Sequence, residues 1–206
     1  MFDRKGQPVT HMYLNVPYEE WEEVQKLGAR WDTACQRWHV PAGVSAASFA
    51  RWTPKAPVIT LRAPRYWLAQ SHERCWLCYN TTDVYAVLLP PGHEALSKDG
   101  RWAQHDHAIL LIYLTDVSPD VRNTLHGITR LYRPDYSRVT RASYWLNHCL
   151  HCSMRQGEHT LHGQPGDVFL PDTEALAARI SVTAVGKPFE GDACTSRSEM
   201  LESVLF

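Results

Sequence analysis

Two Cys-x-x-Cys pairs, Cys75-Trp76-Leu77-Cys78 and Cys149-Leu150-His151-Cys152, constrain this chain more than any other feature. A two-residue spacer lets both thiolates converge on one ion while the N–H groups of the tight turn point at the sulfurs. Two such turns complete a tetrahedral four-sulfur site. Seventy residues lie between Cys78 and Cys149, far more than the roughly 15 to 20 of a simple zinc ribbon. The pattern therefore predicts one structural Zn2+ per chain, held by Cys75, Cys78, Cys149 and Cys152, tying together sequence-distant parts of a sheet domain. Four cysteines leave no open position for a catalytic water. The alternatives are two unrelated buried pairs or a redox Cys-x-x-Cys. His72, His148 and His151 flank the pairs, and His151 is the substitute ligand should one cysteine fail. Cys35 and Cys194 have no partner spacing and read as bland thiols.

Six cysteines raise the question of disulfides, which depends on compartment. The segment Met1-Phe2-Asp3-Arg4-Lys5-Gly6 lacks the apolar stretch of a secretion signal, and no run approaches the roughly 18 apolar residues that cross a bilayer. The expectation is a cytoplasmic chain with no membrane partner, where reducing conditions favour metal ligands or free thiols. A formal net charge of −1 gives no global pull toward polyanions, so a nucleic-acid site has to be a local patch.

Hydrophobic patterning predicts an α+β fold: a small N-terminal α+β domain followed by a zinc-stabilised domain with an antiparallel sheet. Residues 12–16 alternate like a strand. Tyr18 to Leu27 carries Trp21, Val24 and Leu27 at helical steps, with Glu19, Glu20, Glu22 and Glu23 in its first turns and Gly28 as its stop. A strand or turn over 29–32, a strand over 38–40 and a small helix over 46–52 follow. Pro54, Pro57 and Pro64 mark a linker. The predicted organisation is an accessory domain over 1–53, a linker or extended crossing segment over 54–70, a zinc-binding domain over 71–182 and a tail over 183–206. Within the larger domain, 84–89 and 108–114 read as strands, 119–125 as a helix capped by Ser118, 167–170 as a further strand and 172–180 as a helix.

The residues Leu14-Asn15-Val16-Pro17-Tyr18, Leu27-Gly28-Ala29-Arg30-Trp31-Asp32, Arg37-Trp38-His39-Val40-Pro41, Phe49 and Trp52 resemble a small domain of unknown function found alone and attached to plasmid-type primases and other mobile-element proteins. Where His39 stands, that family usually has Tyr. The resemblance implies a DNA context. On the residues themselves, Arg30, Trp31, Arg37 and Trp38 can form a platform on which unpaired bases stack and guanidinium groups hold phosphates. Alternatively, the tryptophans fill a core too small to close with aliphatic residues and the arginines lie over them.

A second resemblance runs from Cys75 to Ile180. Cys75-Trp76-Leu77-Cys78, the strand 84–89, Tyr144-Trp145-Leu146-Asn147-His148-Cys149, Gln156-Gly157-Glu158 and Leu161-His162 look like a family of uncharacterised bacterial proteins. It implies a shared zinc site and no particular activity. That family usually places Gly where Ser153 stands and Asp where Glu158 stands.

Between these markers, Arg130, Arg133, Arg138 and Arg141 interleave with Tyr132, Tyr136 and Tyr144 against the single acid Asp135. This is the best local candidate for phosphate contact with stacking, or else a solvated loop. His105 and His107 place two imidazoles on one strand face, which a metal-dependent nuclease can use with Glu94 or Asp116; a polar loop is the plainer reading. The sequence thus points to a zinc-stabilised, nonenzymatic binding protein that contacts nucleic acid in a mobile-element or DNA-associated setting. Its rivals are a protein-interaction adaptor with a protein partner and a metal-dependent nuclease.

Overall fold

The computed structural model describes residues 12–32, 37–41, 43–53, 57–97, 99–140 and 142–205. The chain forms two compact units, Met1–Ala56 and Pro57–Phe206, and both combine helices with antiparallel strands, an α+β fold.

In the smaller unit, β1 (Met12–Leu14), β2 (Arg30–Asp32) and β3 (Arg37–Val40) form a three-stranded sheet with β3 in the centre. A 3-10 turn over Tyr18–Glu20 leads into α1 (Trp21–Lys26), which buries Val24 completely. Gly28 ends this helix at φ +99°, a left-handed step that glycine takes at no steric cost. Leu14, Val24, Trp38, Val40, Phe49 and Trp52 make the core. An apolar set this small closes because three of its members are aromatic.

The larger unit is built on an eight-stranded antiparallel sheet. Its strands are β4 (Leu61–Ala63), β5 (Tyr66–Arg74), β6 (Thr81–Leu89), β7 (Glu94–Leu96), β8 (Trp102–Gln104), β9 (Ile109–Val117), β13 (Ser181–Val185) and β14 (Phe189–Ser196). They lie in the order β13-β5-β6-β9-β14-β4-β7-β8. A second, three-stranded sheet contains β10 (Tyr132–Ser137), β11 (Ala142–His148) and β12 (Arg155–Gln156).

The near-continuous apolar run of β6 follows from its burial on both faces. Tyr85, Val87 and Leu89 point into a core shared with Val121 and Leu125 of α2 (Pro119–Ile128) and with Tyr132 and Trp145 of the second sheet. Val84, Ala86 and Leu88 point the other way, onto Leu161 of α3 (Glu158–His162), Phe169, and Leu201 of α5 (Glu199–Leu205). Ser118 caps α2, its Oγ accepting the Val121 N–H at 3.5 Å, and Thr173 caps α4 (Glu174–Ala177) in the same way.

In the stretch 54–70, read as a linker or extended crossing segment, residues 61–63 form β4 and residues 66–70 the first half of β5, with Pro64 between the two strands. Two sequence expectations are corrected. Within the tail 183–206, β14 pairs with both β9 and β4. Its polar residues conceal a strand that buries only Phe189 and Gly191. Residues 167–170 form a turn instead of a strand: Leu170 N–H donates to the Asp167 carbonyl, and Phe169 is the one residue fully buried there. Among the described residues no helix is long and apolar enough to cross a membrane.

Candidate metal centre

Both Cys-x-x-Cys pairs are hairpin loops. The β5–β6 register closes at Arg74↔Thr81, so residues 75–80 are its loop. The β11–β12 register closes at His148↔Arg155, so residues 149–154 are the other. The two loops share one hydrogen-bond pattern. Cys75 N–H donates to the Asn80 carbonyl and Tyr79 N–H to the Cys75 carbonyl, each at 2.9 Å. Cys149 N–H donates to the Met154 carbonyl at 2.8 Å and Ser153 N–H to the Cys149 carbonyl at 2.9 Å. In each loop the residue after the second cysteine is left-handed, Tyr79 at φ +62° and Ser153 at φ +59°.

The loop tips bring the sulfurs together. Cys75 Sγ lies 3.6 Å from Cys152 Sγ and Cys78 Sγ lies 3.6 Å from Cys149 Sγ, and all four sulfurs are within 4.8 Å of one another. These separations are far beyond the roughly 2.05 Å of a disulfide, so four free thiols face one point and can hold a metal ion. Gln156 Nε2 at 3.4 Å from Cys75 Sγ, Asn80 Nδ2 at 3.7 Å from Cys78 Sγ and the His151 N–H at 3.4 Å from Cys149 Sγ donate toward the sulfurs. Burial acts to raise the Cys75 thiol, but the N–H groups of Cys78 and Leu77 and the neighbouring sulfurs bring it down to about 6. The Met154 N–H acts to lower the Cys152 thiol, yet burial and the three other sulfurs push it up to about 12. The first thiolate forms easily and the last is resisted by like charge, a conflict that a bound cation removes.

The second loop is pinned to the first by backbone mimicry. Asn147, fully buried in β11, accepts the Tyr85 N–H at 2.7 Å and donates to the Tyr85 carbonyl at 2.9 Å, taking the place of a paired strand on β6. Leu150 N–H donates to Thr82 Oγ1 at 2.9 Å. His151 Nε2 lies 3.1 Å from the Thr81 carbonyl, so this residue fastens the loop and stays outside the sulfur cluster. His148 is buried with Nε2 3.1 Å from Asp135.

The proposed polyanion contacts separate by burial. In the smaller unit Arg30 and Trp31 are exposed on β2, whereas Trp38 is a core residue at 8% exposure. Its ring meets those of Trp21 and Trp31 edge-on. Trp38 is therefore removed from the stacking platform. Arg37 lies in β3. In the larger unit the stretch read as an irregular loop is the β10–β11 hairpin. Tyr132 and Tyr144 are buried, leaving Tyr136 exposed, and Arg130 and Arg138 reach solvent. Arg133 is half-buried, which pulls its guanidinium below the usual range, and it donates to the Arg130 carbonyl. Cys35 and Arg141 lie outside the described residues.

His105 and His107 sit between β8 and β9 and meet His93, which is buried; the three ring centroids are 5.2 to 5.8 Å apart. The acids considered with them are engaged elsewhere, Glu94 by Arg62 and Asp116 by the Val58 N–H.

Sequence reasoning missed one ionisable pair. Glu158 and His162, four apart on α3, are both buried with Oε2 and Nε2 3.7 Å apart. Burial pushes Glu158 up to about 8 and His162 down to about 3. Glu158 accepts the N–H of Tyr113 at 3.3 Å, where β9 makes a left-handed step at φ +49° and its register with β14 shifts. The i,i+4 spacing of a carboxylate and an imidazole was the available signal.

No solved structure matches the chain. Two curated relatives, both described as DNA primase TraC of Escherichia coli, are similar to part of it. One is 49% identical over 51 residues, 25% of this chain and 5% of the relative. The other is 54% identical over 44 residues, 21% of this chain and 3% of the relative. The chain thus spans about one-twentieth or less of the length of these relatives. Residues 11–54, which include the whole described sheet of the smaller unit, match a family described as a domain of unknown function (DUF5710).

Proposed function

We propose that the chain is a zinc-stabilised, nonenzymatic binding protein of the cytoplasm that contacts nucleic acid in a mobile-element or other DNA-associated setting. Zinc suits the centre because a Zn–S distance of about 2.3 Å gives a four-sulfur tetrahedron an edge of about 3.8 Å, close to the 3.6 Å sulfur spacings. Four thiolates complete the coordination sphere and leave no place for a reacting water, so the ion holds the fold. The likeness of Cys75 to Ile180 to a family of uncharacterised bacterial proteins belongs to the same proposal. The two matching cysteine loops support it.

The nucleic-acid part rests on the similarity of part of the chain to DNA primase TraC. The contacts proposed are Arg30, Trp31 and Arg37 in the smaller unit, and Arg130, Arg133, Arg138 and Arg141 in the larger unit. Binding to a labelled single-stranded oligonucleotide tests it. Each phosphate contact steepens the fall of log affinity with log salt by about 0.7. An Arg30→Gln/Arg37→Gln variant is expected to weaken binding and flatten that slope with an unchanged melting temperature. Absence of salt-sensitive binding at low ionic strength overturns the reading.

One feature favours a protein-interaction adaptor instead. Trp21 meets exposed Tyr18 and Trp31 at tilted ring angles with centroid separations of 4.9 Å, but Glu19, Glu22 and Glu23 are exposed beside them. Carboxylates repel phosphates and do not repel an apolar or basic protein surface.

A further inference from the structure

We propose that the tips of the two cysteine hairpins form a binding surface for single-stranded DNA, with bases stacking on Trp76 and Tyr79 and phosphates held by Arg74 and Arg155. This names a site for the nucleic-acid reading above and rests on it. The two rings are exposed by 58% and 65%, on loops whose fold is already specified by the cysteines and backbone hydrogen bonds. A metal-holding loop has no structural need for large apolar side chains in solvent.

Both rings are also held in place, which lowers the entropy cost of stacking. Trp76 Nε1 donates to the Arg155 carbonyl at 2.8 Å, so the indole's polar edge is satisfied and the remaining ring surface is an apolar plate. Tyr79 occupies the left-handed step at φ +62°, where glycine fits without strain and a bulky residue is uncommon. The Arg74 guanidinium carbon lies 5.2 Å from the Tyr79 ring centroid, and its Nε donates to the Tyr79 carbonyl at 3.2 Å. Arg155 donates to the carbonyl of Tyr136, a third exposed ring. Trp76, Arg155 and Tyr136 are thus linked through the backbone carbonyls of Arg155 and Tyr136.

Phosphate contact falls to the two arginines themselves and not to a net positive field, because acids stand beside them: Asp135 with His148 and Arg155, Asp83 with His72 at 2.7 Å, and Glu73 at the Arg74 N–H. Arginine next to projecting aromatic rings is the arrangement that binds unpaired strands, since each ring needs a base face that a duplex keeps stacked.

The test is fluorescence anisotropy of the full, zinc-loaded chain with labelled oligo(dT), compared with the same strand in a duplex and with oligo(U). Trp76→Ala and Tyr79→Asn are each expected to weaken single-strand binding about tenfold, with zinc content and melting temperature unchanged. Asparagine is chosen because it tolerates the left-handed backbone. Arg74→Gln is expected to flatten the salt slope by about 0.7. The rings are varied separately because the arginines also offset the charge of the thiolates. If Trp76→Ala loses zinc, Tyr79→Asn alone decides. Wild-type affinity in Tyr79→Asn, with binding abolished by Arg30→Gln/Arg37→Gln, overturns this site and leaves the broader reading standing. No binding by the wild-type chain overturns both. Tighter binding to the duplex or to oligo(U) overturns the assignment to single-stranded DNA.

Discussion

Ser153 and Tyr79 stand at equivalent points of their loops, and each holds a backbone conformation that costs an L-residue about 1 kcal/mol or more relative to glycine. The left-handed φ makes Gly the residue that the position of Ser153 favours. Ser153→Gly is expected to stabilise the larger unit by about 0.5–1 kcal/mol, glycine's greater unfolded-state entropy cancelling part of the relief. A raised urea midpoint with unchanged slope is the readout; a lowered midpoint contradicts the argument. At this scale the cysteines were legible because chemistry fixes their spacing. The fates of Trp31 and Trp38 were not legible. They face each other across the β2–β3 register and so share one face of the sheet, yet one is a core residue and the other is 38% exposed, a difference set by strand position, β3 being central and β2 an edge.

At the level of elements, the centre is two hairpin loops clipped together, and neither loop alone brings four sulfurs to one point. Cys75→Ser and Cys149→Ser are therefore expected to be equivalent: each reduces zinc from one per chain to none by elemental analysis and unfolds the larger unit by circular dichroism. Retention of zinc by either variant refutes a single shared ion. Strands such as β6 and β9 were readable because each is a long apolar run. By contrast, β4, β13 and β14 are short or half-exposed. Their pairing comes from partners far along the chain, information that local pattern does not contain. The strand in the basic stretch was not legible for a related reason: Arg133, Pro134 and Asp135 interrupt its alternation, and its pairing comes from 142–148.

For the whole molecule, the Glu158–His162 pair shapes stability against pH. The unfolded pair titrates near 4.5 and 6.5, the folded pair near 8 for Glu158 and 3 for His162. Glu158 is raised, so its contribution is complete below 4.5 and is lost as pH rises toward 8. His162 is depressed, so its contribution is complete above 6.5 and is lost as pH falls toward 3. Between 4.5 and 6.5 the folded and unfolded pairs each hold one proton and the two effects cancel, giving a plateau. Above 6.5 stability declines by about 1.4 kcal/mol per pH unit, about 2 kcal/mol by pH 8. Urea melts across this range check it: Glu158→Gln is expected to abolish the alkaline decline and, with His162 alone titrating, to replace the plateau by an acid limb that begins near pH 6.5, and an unaltered alkaline limb in that variant refutes the assignment. Strand order at this scale has a consequence for synthesis on the ribosome. Because, among the described residues, β14 alone joins β9 to β4, a nascent chain halted before Phe189 holds β13-β5-β6-β9 and β4-β7-β8 as two separate half-sheets with open edges. Translation must therefore pass Ser196 before the larger unit can close, and until then those edges are the surfaces for chaperones to cover.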